Sequence, residues 1–231
     1  MTHAIQFGNK TINFRLEYSG RKSLGITVNP EMEVVIKAPI DTSIEKIKEK
    51  IRKKAPWIIK QQSYFLSFQP KLPARKYISG ETHLYLGRQY SLLIQIGKNE
   101  TVKLKGKFII VTTIEKSRTK ILLKDWYLQL ARAKFHAIAV PLIEKFKKYK
   151  VEPSSIVLRE MPTRWGSCTS KGKIILNPEL IKAPKRCIEY VIIHELCHLI
   201  YHDHTQKFID LQSKEMKDWE KWKMKLEKLL A

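Results

Sequence analysis

The spacing of apolar positions in the first part of the chain predicts strands followed by one helix. The predicted strands are Thr11–Tyr18, Ser23–Val28 and Glu33–Lys37. Asp41, Thr42 and Ser43 then offer an N-cap, and a helical pattern begins at Glu45. The apolar positions that keep the helical period are Ile44, Ile47, Ile51, Ala55 and Ile58. Pro56 predicts a kink or a break in this helix, because proline lacks the backbone N–H.

The middle of the chain returns to strand character after an irregular segment at residues 66–76. Four short segments separated by glycine-containing turns predict a meander of strands at Thr82–Leu86, Tyr90–Ile96, Thr101–Leu104 and Lys107–Thr112. The period then becomes helical from Lys116 to Lys148, with a kink expected at Pro141.

The last part of the chain alternates strands and helices. Strands are predicted at Ile156–Glu160 and Lys173–Leu176, with a turn at residues 164–168 between them. Residues 187–201, CIEYVIIHELCHLIY, are almost wholly apolar and predict a buried helix with Pro184 in its first turn. A last helix is expected after His204, extending to the C-terminus, and no internal repeat is detected.

These elements predict an α+β protein with a division near residue 113. Residues 1–113 form a β-rich N-terminal part with one helix, and residues 114–231 carry the residues that suggest chemistry. No flexible linker separates the two parts, so a shared interface is expected.

The buried helix contains the string His194-Glu195-Leu196-Cys197-His198, an H-E-x-x-H motif. Residues four apart on a helix share a face, so His194 and His198 can bind one metal ion. Zinc suits neutral imidazole ligands, and Glu195 is placed to act as general base toward a water molecule. The alternative is a pair of hydrogen-bonded core histidines, but buried polar side chains need partners and a metal provides one.

A catalytic zinc usually has three protein ligands, and His204 is the first candidate for the third. An unbroken helix would carry His204 about 15 Å along the axis from His194. It can bind only if the helix ends near residues 201–203 and the chain turns back, after which Thr205 can cap the next helix. His202 is the competing histidine, and we interpret it as an outer or surface residue. Weaker candidate ligands are Glu215, Asp218, Glu220 and Cys168.

Further segments resemble a known family. These are Arg164-Trp165-Gly166-Ser167-Cys168, the following strand that ends in Leu176-Asn177, and His204-Thr205-Gln206-Lys207-Phe208 after the H-E-L-C-H-L string. Together they resemble the YgjP-like family of zincin-like metallopeptidases, which is related to the WLM and SprT-like groups. Two positions depart from the family pattern, Asp203 where Asn is common and Ile209 where an aromatic often follows the phenylalanine.

The resemblance implies a zincin-like domain, with the H-E-x-x-H helix beside a small sheet. It also implies zinc held by His194, His198 and His204, with Glu195 as general base. Candidates for contacts to the substrate are Arg164, Tyr201 and His202. Trp165 and Arg164 also have a structural interpretation, in which the indole packs under the site and the guanidinium pairs with a carboxylate.

Composition adds a strong positive charge, because 44 basic and 22 acidic residues give a net charge of +22. Such a field attracts anionic partners, so nucleic acid or a nucleotide joins a peptide or protein as a possible partner. Two alternatives therefore stay open beside a zinc metallopeptidase. One is a metal-dependent nucleotide or phosphate-ester hydrolase, and the other is a nucleic-acid-binding protein with a structural metal.

The remaining composition bears on location. The odd number of cysteines, 3, argues against a disulfide framework and favours reduced thiols. No apolar run approaches the ~20 residues that span a bilayer, and the first residues do not resemble a secretory signal. We therefore expect a cytoplasmic protein without a transmembrane segment.

Overall fold

The computed structural model describes residues 2–8, 10–29, 32–66, 75–161 and 164–230, and it is α+β as predicted. Contacts divide the chain into two units, Met1–Pro73 and Ala74–Leu230. The division differs from the predicted one near residue 113, because strands between residues 82 and 113 share a hydrophobic cluster with the H-E-x-x-H helix. The segment predicted to be irregular, 66–76, lies largely outside the described residues.

The first unit is a four-stranded sheet with one helix. Its strands, in the spatial order β1-β2-β4-β3, are β1 (Thr2–Phe7), β2 (Lys10–Ser19), β3 (Gly25–Val28) and β4 (Val34–Pro39). Strand β1 was not predicted. The helix α1 (Ile44–Leu66) buries the predicted apolar stripe, in which Ile47, Ile51 and Ile58 are fully buried. The helix continues through Pro56, so of the predicted kink or break the break is wrong. Pro56 lies on the exposed side of the helix, where the carbonyl that loses its N–H partner can bind water.

The second unit begins with another four-stranded sheet and a long helix. The strands are β5 (Thr82–Tyr85), β6 (Arg88–Ile96), β7 (Thr101–Lys105) and β8 (Phe108–Thr113), and the helix is α2 (Thr119–Phe146). The predicted meander is wrong, because β8 pairs with β6 in parallel and β7 lies at the edge, in the order β5-β6-β8-β7. This is the strand order of the first unit, so the two units repeat one topology although the sequence shows no repeat.

A three-stranded sheet comes next, in the order β10-β11-β9. Its strands are β9 (Ser155–Leu158), β10 (Gly166–Cys168) and β11 (Lys173–Leu176). The turn predicted at residues 164–168 is wrong in part, because residues 166–168 pair antiparallel with β11 and form an edge strand. Edge strand β10 lies against the H-E-x-x-H helix α3 (Lys185–His198).

Two further helices complete the second unit, α4 (Gln206–Glu215) and α5 (Trp219–Leu230), so the single last helix that was predicted is interrupted at Met216. The turn between β5 and β6 holds the start of α3. Leu86 and Gly87 have positive φ, and their amides donate to the carbonyls of Ile181 and Lys182. A side chain at position 87 would come within 2.6 Å of the Pro184 ring, so this close approach requires glycine. Within the described part of the chain, no helix has the length and apolarity to cross a bilayer.

Candidate metal centre

Three histidines converge where α3 ends. His194 and His198 lie one turn apart on α3, which ends at His198, and the chain then turns back toward the helix. This return brings His204 Nε2 to 3.1 Å from His194 Nε2. One nitrogen from each of the three rings lies within 4.8 Å of the other two. The predicted condition for His204, an early helix end with a reversal, is met.

Hydrogen bonds orient two of these rings. His194 Nδ1 lies 2.7 Å from the side-chain oxygen of Gln212, and His198 Nδ1 lies 3.1 Å from the carbonyl oxygen of Tyr201. Since both partners accept, each Nδ1 donates and each Nε2 keeps its lone pair for the centre of the cluster. Gln212 is 1% exposed on α4, and it was not predicted as a site residue. In the sequence, Gln212 is a polar residue on the same helix face as the apolar residues Phe208 and Leu211. This position indicates a buried polar side chain that needs a partner.

The ring of Phe208 packs against all three imidazoles. Its centroid lies 5.0 Å from that of His194, 4.7 Å from that of His198 and 4.8 Å from that of His204. Phe208 is 1% exposed and belongs to the core of the second unit. The aromatic residue four positions after His204 therefore forms the apolar floor of the cluster.

Glu195 is buried between α3 and β10. Glu195 is 4% exposed, and burial raises the pKa of its carboxyl to about 7. The charge of Arg164 and the hydrogen bond from the backbone amide of Cys168 lower the same pKa, but their effect is smaller. A Cβ at Gly166 would lie 2.5 Å from Glu195 Oε1, so only glycine lets the strand approach the carboxylate this closely. The Trp-Gly-Ser-Cys segment thus positions the carboxylate through its backbone.

A cavity of about 540 Å³ opens over this cluster. Of the predicted substrate contacts, Arg164 and His202 line it, whereas Tyr201 contributes its carbonyl to His198 and does not line it. Tyr190, one turn before His194, also lines the cavity, and its ring centroid lies 6.0 Å from that of His194. Tyr190 was not predicted as a site residue, although the i to i+4 spacing to His194 places it on the same helix face.

A family model described as a YgjP-like metallopeptidase domain matches residues 22–229. The chain belongs to the YgjP-like family. No curated protein with which the chain was compared matches it. Membership of a metallopeptidase family implies a hydrolase with a metal cofactor and a peptide or protein substrate, and the three histidines are suited to hold such a metal.

In this YgjP-like protein, the weaker candidate ligands lie apart from the histidines. The buried carboxylate of Glu215 binds Lys145 and Lys148. Asp218 accepts from Arg186 and from the indole of Trp222, while Glu220 is exposed. Cys168 lines the cavity, but its sulfur is not part of the group of converging ligand atoms.

Proposed function

We propose that the protein is a zinc-dependent peptidase in which His194, His198 and His204 bind one zinc ion and Glu195 is the general base. The observation that carries the proposal is the convergence of three imidazole nitrogens within 4.8 Å beside a buried carboxylate. The packing of the H-E-x-x-H helix against edge strand β10 supports a zincin-like arrangement of this unit.

The donor set fits zinc. Burial lowers the pKa of His194 to about 4 and lowers that of His198, so both rings are neutral near pH 7 and free to bind a cation. The described part of the chain offers three converging ligands and no fourth, which leaves a position open as in catalytic zinc sites. When bound, zinc supplies Lewis acidity to the scissile carbonyl and lowers the pKa of water.

The roles of the protein groups follow from their positions. Glu195 takes a proton from the attacking water and returns it to the leaving amine, and the amide of Cys168 holds the carboxylate in place. Arg164, His202 and Tyr190 line the cavity, which supports them as candidates to hydrogen-bond the developing oxyanion. The free edge of β10 suits backbone pairing with an extended peptide.

The two alternatives gain less support. A structural metal is normally closed by a fourth protein ligand, and none joins the three histidines in the described residues. A phosphate ester needs several cations around its oxygens, but Arg164 is the sole lysine or arginine among the described lining residues of this cavity. Peptide hydrolysis is therefore the chemistry that the site favours.

Three variants test the proposal. We expect about one zinc per chain in the wild type and in Glu195→Gln by elemental analysis, and substoichiometric zinc in His204→Ala. Both variants should lose at least about 100-fold in cleavage of a peptide library read by mass spectrometry. His136→Ala, an exposed histidine on α2, is the matched control and should keep both properties. Full cleavage by Glu195→Gln, or purified protein without a stoichiometric divalent ion, would contradict the proposal.

A further inference from the structure

A second cavity of about 710 Å³ lies in the same unit as the histidine cluster. Its walls come from residues 75–83, the first turns of α2, residues 160, 161 and 165 before β10, and the segment 177–182. Trp165 lines both this cavity and the one over the histidines. Trp165 therefore borders both the proposed catalytic cavity and the second cavity.

The lining of the second cavity carries an excess of positive charge. It includes Arg75, Lys120, Lys124 and Lys182, against the carboxylates of Glu160 and Glu179. Those two carboxylates are paired with lysines of the lining, Glu160 with Lys124 at 2.7 Å and Glu179 with Lys182. Lys120 is exposed at the start of α2 and has no carboxylate within 4.0 Å among the described residues. Arg75 Nη1 lies 3.5 Å from a carboxylate oxygen of Glu81, which is not among the lining residues. Lys120, whose Nζ lies 6.0 Å from the centroid of the Tyr77 ring, is therefore the cation of this lining without a carboxylate partner among the described residues.

His83 on β5 adds a buried polar group to the same lining. The residue is 2% exposed, and its Nε2 atom has no hydrogen-bond partner in the described part of the chain. Burial, together with the charges of Arg75 and Lys182, lowers the pKa of the His83 imidazole to about 4, so the ring is neutral near pH 7. An unsatisfied buried polar atom is unfavourable, and such atoms are found where a ligand or water completes the site.

The second cavity adjoins the proposed catalytic cavity at the residue that precedes β10. Trp165 directly precedes this edge strand, while Cys168 at its other end hydrogen-bonds Glu195 through its amide. An extended peptide lying along β10 therefore passes Trp165 at one end. If a substrate pairs with β10 as proposed above, its residues next to Trp165 border the second cavity.

We propose that the second cavity is a substrate subsite that binds a carboxylate, with Lys120 as its unpaired cation, Arg75, which also pairs with Glu81, as a second cation, and His83 as a neutral polar group. The proposal rests on the peptidase function proposed above. The carboxylate has two sources in a peptide, an acidic side chain or the chain terminus. Both place a negative charge beside Lys120, and electrostatic pairing of this kind selects substrates more than it adds overall affinity.

Binding to the Glu195→Gln protein tests the subsite without turnover. Three fluorescent peptides that differ only at one internal residue and at the C-terminus serve as probes. One has an internal glutamate and an amidated C-terminus, one has glutamine and a free C-terminus, and one has glutamine and an amidated C-terminus. We expect one of the carboxylate peptides to bind about tenfold more tightly than the neutral peptide, with a preference that shrinks as salt is raised. The peptide that shows the preference identifies the source of the carboxylate.

Charge variants then locate the preference. Lys120→Gln and Arg75→Gln should each abolish most of it, whereas Lys134→Gln, an exposed lysine on the same helix and outside the cavity, should keep it. Equal binding of the three peptides, or the same loss in Lys134→Gln as in Lys120→Gln, would overturn the subsite. If the wild-type protein cleaves no peptide but its preference for a carboxylate peptide is lost in Lys120→Gln, the subsite is retained and the peptidase function is refuted. Cleavage of all three peptides with equal kcat/KM retains the peptidase and refutes the subsite.

Discussion

Replacing Glu195 with glutamine should stabilise the metal-free protein while it removes the proposed activity. The residue is 4% exposed, and burial raises its carboxyl pKa from 4.5 to about 7. Because the folded pKa exceeds the unfolded one, the stability that comes from the protonated form is full below pH 4.5 and is lost as pH rises through about 7. Each pKa unit is worth about 1.4 kcal/mol, so the ionised carboxylate lowers the free energy of unfolding by about 3 kcal/mol at about pH 8.

Urea unfolding with a chelator present measures this effect across a pH series. Glutamine keeps the size of the side chain and can still accept from the Cys168 amide, so the variant removes the charge alone. The variant should exceed the wild type by about 1.4 kcal/mol near pH 5.5 and by about 3 kcal/mol near pH 8. Glu152→Gln, at an exposed glutamate, is the matched control and should show no such rise with pH.

The sign of the stability difference between Glu195→Gln and the wild type, and its change with pH, decide the outcome. A difference that does not grow between the two pH values means that Glu195 titrates at its ordinary pKa and is solvated in the folded state. A less stable variant means that the carboxylate is stabilised by partners rather than held at a cost in stability. Either result refutes the argument that burial between α3 and β10 tunes this carboxylate.

Three further predictions concern the residues that support the site. Gln212→Leu should weaken zinc binding by about 10- to 100-fold in a chelator competition, because His194 loses the acceptor at 2.7 Å that orients it. Gly166→Ala places a methyl 2.5 Å from Glu195 Oε1, so kcat/KM should fall at least about tenfold while zinc affinity changes less than about threefold. Burial alone would raise the Glu215 pKa, but hydrogen bonds from Lys148, Tyr149 and Lys145 hold it at about 2. Glu215→Gln should therefore lower the free energy of unfolding by about 3 kcal/mol. This difference should be present above pH 4.5 and lost as pH falls toward 2.

Each of these has an outcome that contradicts it. Unchanged zinc affinity in Gln212→Leu means that Phe208 packing alone orients the ring. Unchanged kcat/KM in Gly166→Ala means that β10 can move away from α3 at little cost. An acid unfolding profile of Glu215→Gln that parallels the wild type means that the lysine pairs do not hold the carboxylate in its charged form.

Local periodicity predicted most elements but not how they pair. The helical stripe of α1 and the strands from β5 to β8 lie within a few residues of their predicted bounds. The sheet order was predicted wrongly, because a short connection between β6 and β7 favours a hairpin whereas the native pairing joins β6 to β8 in parallel. Strand pairing depends on contacts far apart in the chain, and hydrophobic alternation along a single strand does not specify its neighbour.

The residues of the site also separate into those predicted from local sequence and those that depend on tertiary packing. Residues in one motif on one helix, such as His194, Glu195 and His198, were identified because helical geometry alone places them together. The position of Gln212 was not identified, since it reaches His194 only through the packing of α4 on α3. The close contact of Gly166 with Glu195 was also missed, because β10 was predicted to be a turn.

The linear order of residues is enough to specify the α+β class, the helix that carries two of the histidines and the resemblance to the family to which the chain belongs. These depend on short-range periodicity and on motif spacing, which the covalent chain already contains. Three features depend on the folded chain: the chain reversal that brings His204, already the candidate third ligand in the sequence, to His194, the packing of Phe208 under the cluster, and the position of Trp165 at two cavities. Such contacts join segments whose separation is bridged only when the core of the second unit forms, because buried packing rather than local preference brings them together.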